Sequence, residues 1–155
     1  MRLIIPLSLF FLLIIGSACN KCKKNCKNGD CVEGECICKT GWFGDNCDQE
    51  TRTKFYGNYT VSHVCDNGFS TSASTISEDP ADFLKFKIGN FHDSGLEVMA
   101  QITKGDTFSI FEQNLDTMLV RGYGYFKNLR DTVRINYYIF NTQSPDSCID
   151  DYIKN

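Results

Sequence analysis

The chain carries no surplus of positive charge: 16 Lys+Arg stand against 19 Asp+Glu, a formal charge of −3. Nucleic-acid binding needs a basic patch or stripe, so no nucleic-acid partner is expected. Histidine is scarce, with His63 and His92 alone, so any Ser-His-Asp triad has to use one of them. His92 sits in the run Phe91-His92-Asp93-Ser94, which reads as turn residues because triad partners meet through folding, not adjacency. No G-x-S-x-G elbow, H-E-x-x-H helix or phosphate-cradling glycine loop occurs. Glu78-Asp79 and Asp150-Asp151 read as a loop and a tail. No catalysis and no cofactor are therefore expected. Long apolar runs are also missing: Leu3–Ile15 spans thirteen residues, roughly 20 Å of helix against a ~30 Å hydrocarbon core.

That short run has another meaning. Met1-Arg2 supplies a positive start, Leu3–Ile15 an apolar stretch, and Gly16-Ser17-Ala18 a small-residue end before Cys19. This is the layout of a secretory signal peptide, residues 1–18. Small residues directly before Cys19 resemble a bacterial lipobox, although Gly16 stands where Leu is usual. The resemblance implies an acylated Cys19 and a membrane partner. A plain cleavage site or a disulfide role for Cys19 are the alternatives.

Cysteine is what the chain has in abundance, nine in all, a usage that belongs outside the cytosol. Cys22, Cys26, Cys31, Cys36, Cys38 and Cys47 crowd into 26 residues, too few to bury a useful core without cross-links. Six cysteines allow fifteen pairings, and spacing does not choose among them. Cys36-Ile37-Cys38-Lys39-Thr40-Gly41-Trp42-Phe43-Gly44-Asp45-Asn46-Cys47 resembles the closing pattern of an EGF-like module, C-x-C-x2-G-aromatic-x-G-x2-C. The resemblance implies the pairs Cys22–Cys31, Cys26–Cys36 and Cys38–Cys47. A zinc site is the rival, disfavoured by export and by the lack of histidine in the cluster. Neither Cys19-Asn20-Lys21 nor Val32-Glu33-Gly34-Glu35 offers the oxygen set of a calcium-binding form, so no metal is expected. Cys19, Cys65 and Cys148 remain. An odd remainder is accounted for by a Cys65–Cys148 bridge with Cys19 consumed by lipid.

Residues 19–21 read as the lipid-anchor tether, 22–47 as the EGF-like module, 48–53 as a polar linker and 54–155 as an all-β domain. In that last segment apolar residues alternate with period two: Tyr59, Val61 and His63; Leu84, Phe86 and Ile88; Leu96 to Ile102; Phe108 and Ile110; Val120 to Phe126; Val133 to Ile139. Turn formers separate them, as at Asp66-Asn67-Gly68 and Lys104-Gly105-Asp106. Seven or eight short strands predict an antiparallel meander, a small barrel or sandwich, lipocalin-like in broad architecture. A hairpin centred on Leu129-Arg130 sets Gly124 opposite Ile135 and Gly122 opposite Tyr137, so that bulky side chains fold over bare backbone. Its other face carries Arg121, Tyr123, Tyr125, Arg134, Asn136 and Tyr138, a candidate platform for a protein or glycan ligand. The bland alternative is an ordinary ladder of cross-strand pairs.

Phe55-Tyr56-Gly57-Asn58-Tyr59-Thr60-Val61, Gly122-Tyr123-Gly124 and a late cysteine resemble the C-terminal part of Bacteroidetes EGF-like lipoproteins. That resemblance implies a lipid-anchored envelope protein whose β domain serves binding or adhesion. A lipocalin-like carrier of an apolar ligand and a carbohydrate-active enzyme are the two alternatives.

Overall fold

A computed structural model describes residues 24–127, 132–140 and 145–155. The signal segment, Cys19, Cys22 and the Leu129-Arg130 turn lie outside the described residues.

The amino-terminal part is small and cross-linked. Strands β1 (Gly29–Val32) and β2 (Glu35–Cys38) pair antiparallel, as do β3 (Trp42–Phe43) and β4 (Gln49–Glu50). Disulfides join Cys26 to Cys36 and Cys38 to Cys47, and Cys31 is also disulfide-bonded. Its strands leave Val32 and Ile37 more than half exposed, so sulfur rather than an apolar core holds it.

Eight further strands form one closed barrel: β5 (Gly57–Cys65), β6 (Gly68–Glu78), β7 (Lys85–Gly89), β8 (Val98–Lys104), β9 (Thr107–Leu115), β10 (Met118–Phe126), β11 (Thr132–Phe140) and β12 (Pro145–Lys154). Each pairs antiparallel with the next, and β12 returns to β5 from Cys148↔Cys65 to Lys154↔Tyr59. The eight strands thus close on themselves as a barrel rather than stack as a sandwich. Alternation decides what lies inside: Tyr59, Val61, Phe86, Ile88, Val98, Phe108, Ile110, Val120, Val133, Ile135 and Tyr152 are at most 1% exposed.

Two strands escape the apolar alternation. In β6, GFSTSASTISE, serine and threonine occupy both faces, and only Ile76 marks the inner one as apolar. In β12 the inward positions are Cys148, Asp150 and Tyr152, so Asp150-Asp151 is no tail. Asp150 points in, wholly buried, while Asp151 points out.

Residues 48–53 are not a free linker. Gln49–Glu50 belongs to β4, and Thr51–Phe55 forms a 3-10 turn that buries Thr51, Arg52 and Phe55. Phe55 stoppers one end of the barrel, its ring 4.5 Å from Phe126, 5.2 Å from Phe86 and 5.2 Å from Phe108. Arg52 locks this stopper in place: Nη1 donates to the carbonyls of Asp79, Asp82 and Lys85, and Nε to Glu50 at 2.7 Å. Trp42 packs on Phe83 at 5.6 Å, so the cross-linked part sits against the same barrel end. Gly41 permits this approach, since its φ is +89° and a Cβ there would strike Leu84.

Candidate functional site

Two places concentrate chemistry, one outside the barrel and one inside it. The register β10/β11 pairs Arg121 with Tyr138, Tyr123 with Asn136 and Tyr125 with Arg134, so all six platform residues share the outer face. Gly122 meets Tyr137 and Gly124 meets Ile135, as the hairpin reading expects. The covering of Gly124 differs, however. A Cβ at Gly124 would run into the Phe108 ring from β9, on the other flank.

The six residues are not equally free. Arg134 is committed to Asp151, donating through Nε at 2.8 Å and Nη2 at 2.7 Å, with Lys127 joining at 3.1 Å. That bidentate grip, above all, holds the Asp151 carboxyl below its ordinary range. Asn136 lies under its neighbours, and its buried Nδ2 has no hydrogen-bond partner among the described residues. Tyr125 is half-buried and stacks on Tyr123, ring centroids 6.5 Å apart and planes 16° from parallel.

Exposure is concentrated elsewhere. Tyr123 is 56% exposed, Tyr138 50% and Phe111 54%, and together with Arg121 they line an open, shallow depression of about 380 Å³. Arg121 leans on the Phe140 ring at 5.1 Å and pairs weakly with Glu112 at 3.8 Å. Phe111 was missing from the sequence-derived set. Continuing the alternation of Phe108 and Ile110 by one residue would have turned it outward.

The inner cluster lies at the end away from Phe55. His63 Nδ1 is 2.8 Å from Asp150 Oδ2, and its Nε2 is 2.7 Å from Ser72 Oγ. The Tyr137 hydroxyl meets His92 Nδ1 at 2.9 Å, and the His63 and His92 rings are 5.9 Å apart. Burial, the leading cause in each case, pushes the Tyr137 and Tyr152 phenols far up and His92 down. Asp150 Oδ1 and the Tyr152 hydroxyl are buried with no hydrogen-bond partner among the described residues. His63 and His92, read apart in the sequence, thus meet here.

Disulfide Cys65–Cys148 borders the cluster. Its sulfurs and a ring nitrogen of His92 lie within 4.8 Å of one another, yet sulfur bonded to sulfur supplies no thiolate for a metal.

No family model matches the chain. A segment of 64 residues is 36% identical to protein tag-53 of Caenorhabditis elegans, covering 41% of this chain and 4% of that protein. With the chain spanning so small a share of tag-53, the likeness reaches one segment and not the relative as a whole.

Proposed function

We propose that this is an exported cell-envelope lipoprotein whose barrel binds glycans on its outer β9–β11 face. In this reading Cys19 carries the acyl groups, and more than one chain is required, because a single chain anchors only marginally. Residues 22–47 form an EGF-like spacer. The bridges Cys26–Cys36 and Cys38–Cys47, and positive φ at Gly41 and Gly44, support that assignment.

The observation that carries the binding reading is the exposed group of Tyr123, Tyr138, Phe111 and Arg121 around one shallow depression. Flat aromatic faces stack on the C–H faces of sugar rings, and Arg121 supplies hydrogen-bond donors at the margin. A shallow site suits one side of a saccharide chain better than an engulfed small molecule. The carrier alternative would need an internal chamber. Instead Phe55, Phe86, Phe108, Tyr59 and Tyr152 occupy the barrel interior.

A glycan array probed with the soluble mature protein tests the platform. Tyr123→Ala and Tyr138→Ala should each reduce binding of every hit at least ~10-fold, a loss of about 1.4 kcal/mol. Unchanged binding by both variants, or hits confined to a peptide array, rejects the glycan reading. The anchor is tested by feeding cells a fatty-acid analogue. Label on the wild type must vanish in Cys19→Ala, and equal labelling of both removes the anchor.

A further inference from the structure

We propose that Ser72, His63 and Asp150 form a nucleophilic serine site at the barrel mouth that hydrolyses small carboxylic esters. The three residues come from neighbouring strands β6, β5 and β12 and face inward. They stand in the order the chemistry requires. Asp150 Oδ2 accepts from His63 Nδ1–H at 2.8 Å, which leaves Nε2 as the base 2.7 Å from Ser72 Oγ. Burial follows the same order: Asp150 is wholly buried, the His63 side chain is 3% exposed, and Ser72 is half-buried.

The turn after β7 covers β6 up to Ala73 and Ser74, through Asn90 Nδ2 to the Ala73 carbonyl at 2.7 Å and Ser74 Oγ to the Gly89 carbonyl at 2.6 Å. It leaves the stretch toward the rim uncovered by strand pairing. β6 pairs with β7 only from Thr75 to Glu78, so Gly68–Ser74 runs past the end of β7. Ser70, the next inward position toward the rim, is exposed, which gives a route to Ser72 from solvent. His92 stands beside the gap on the 3-10 turn Phe91–Asp93, in the left-handed region at φ +53°. Burial favours the neutral ring, and the hydrogen bond between its Nδ1 and the Tyr137 hydroxyl, at 2.9 Å, holds the His92 ring against His63.

A purely structural role explains this cluster poorly. Desolvating a carboxylate costs several kcal/mol, and Asp150 is wholly buried facing an imidazole and the Tyr137 phenol rather than a guanidinium or an ammonium. An apolar pair of similar volume would close the same space without that cost. Strain and desolvation of this kind collect at working sites.

The reaction balances with water as the only co-reactant. Ser72 Oγ forms a bond to the ester carbonyl carbon while its proton moves to His63 Nε2, and the carbonyl π pair moves to the carbonyl oxygen. Collapse restores the C=O, breaks the bond to the alkoxy group, and returns the proton from His63 to the departing alcohol. Water then repeats both steps on acyl-Ser72, releasing the carboxylic acid. Tyr59, Val61 and Ile76, at most 2% exposed, fill the barrel below, so the acyl group has to be short.

This inference is independent of the glycan platform, and its test is separate. The purified mature protein is treated with a fluorophosphonate probe and, in parallel, assayed on p-nitrophenyl acetate. One phosphonyl group per chain, mapped to Ser72 by peptide mass spectrometry, is expected. Ester hydrolysis should fall at least ~100-fold in Ser72→Ala and about as far in Asp150→Asn. Ser72→Ala removes one hydroxyl from a half-buried position, so it keeps the test valid even where Asp150→Asn does not fold. A wild type without adduct, an adduct at another residue, or equal hydrolysis by Ser72→Ala overturns the proposal.

Discussion

Removing the bridge between β5 and β12 is the most direct perturbation of barrel closure. Cys65 and Cys148 lie 83 residues apart in sequence and directly opposite each other at one end of the β5–β12 ladder. Cross-linking a loop of that length lowers the entropy of the unfolded chain by an amount worth about 4.5 kcal/mol at 25 °C. Most single domains have only ~5–15 kcal/mol of stability, so the bridge is a large share. The variant of choice is Cys65→Ala with Cys148→Ala, since one free thiol could exchange with Cys26–Cys36 or Cys38–Cys47. Equilibrium unfolding in urea, followed by far-ultraviolet circular dichroism, reads the barrel directly. With a slope of about 2 kcal/mol per molar, the midpoint should drop by roughly 2 M. A drop under ~0.5 M would refute the reasoning. It would mean that hydrogen bonding from Ile149↔Val64 to Lys154↔Tyr59 shuts the seam unaided.

Two further outcomes are expected. Phe55→Ala should cost about 3–5 kcal/mol in the same urea assay, because a ring packed on Phe86, Phe108 and Phe126 leaves a cavity when truncated. A loss under ~1 kcal/mol would show that residues 51–55 only rest on the barrel. Alkali should unfold the protein: burial pushes the Tyr59 phenol up to about 12, while in the unfolded chain it ionises near 10. The folded state therefore keeps a proton that the unfolded state loses. The resulting stabilisation is complete below pH ~10 and is lost as pH rises toward about 12. Tyrosinate absorbance should stop short of all seven tyrosines while the dichroism stays native. Full absorbance from an intact barrel would contradict this.

Much of the outer face was legible from the sequence because strand geometry has a fixed period of two. Once a turn at Leu129-Arg130 is assumed, Gly122 must face Tyr137 and Arg121 must face Tyr138, and they do. Cysteine parity likewise led to Cys65 and Cys148, the pair the structure joins. The same rule failed wherever inward residues are polar. β6 shows no apolar alternation, and Asp150 reads as part of an acidic tail, because alternation is visible only when the buried side chains are apolar. The platform shifted toward Phe111 for another reason: pairing register does not reveal that Asp151 on the next strand engages Arg134.

Sequence alone determined an all-β chain rich in sulfur, with a cross-linked front part and a C-terminal hairpin of known facing. Period-two alternation and counted thiols are local properties, readable without knowing what lies nearby. Tertiary structure alone decided that the sheet closes, that Phe55 stoppers it, and that Asp150, His63 and Ser72 meet. Those contacts join residues 9 to 87 positions apart, and only the closing of β12 on β5 brings Asp150 to His63.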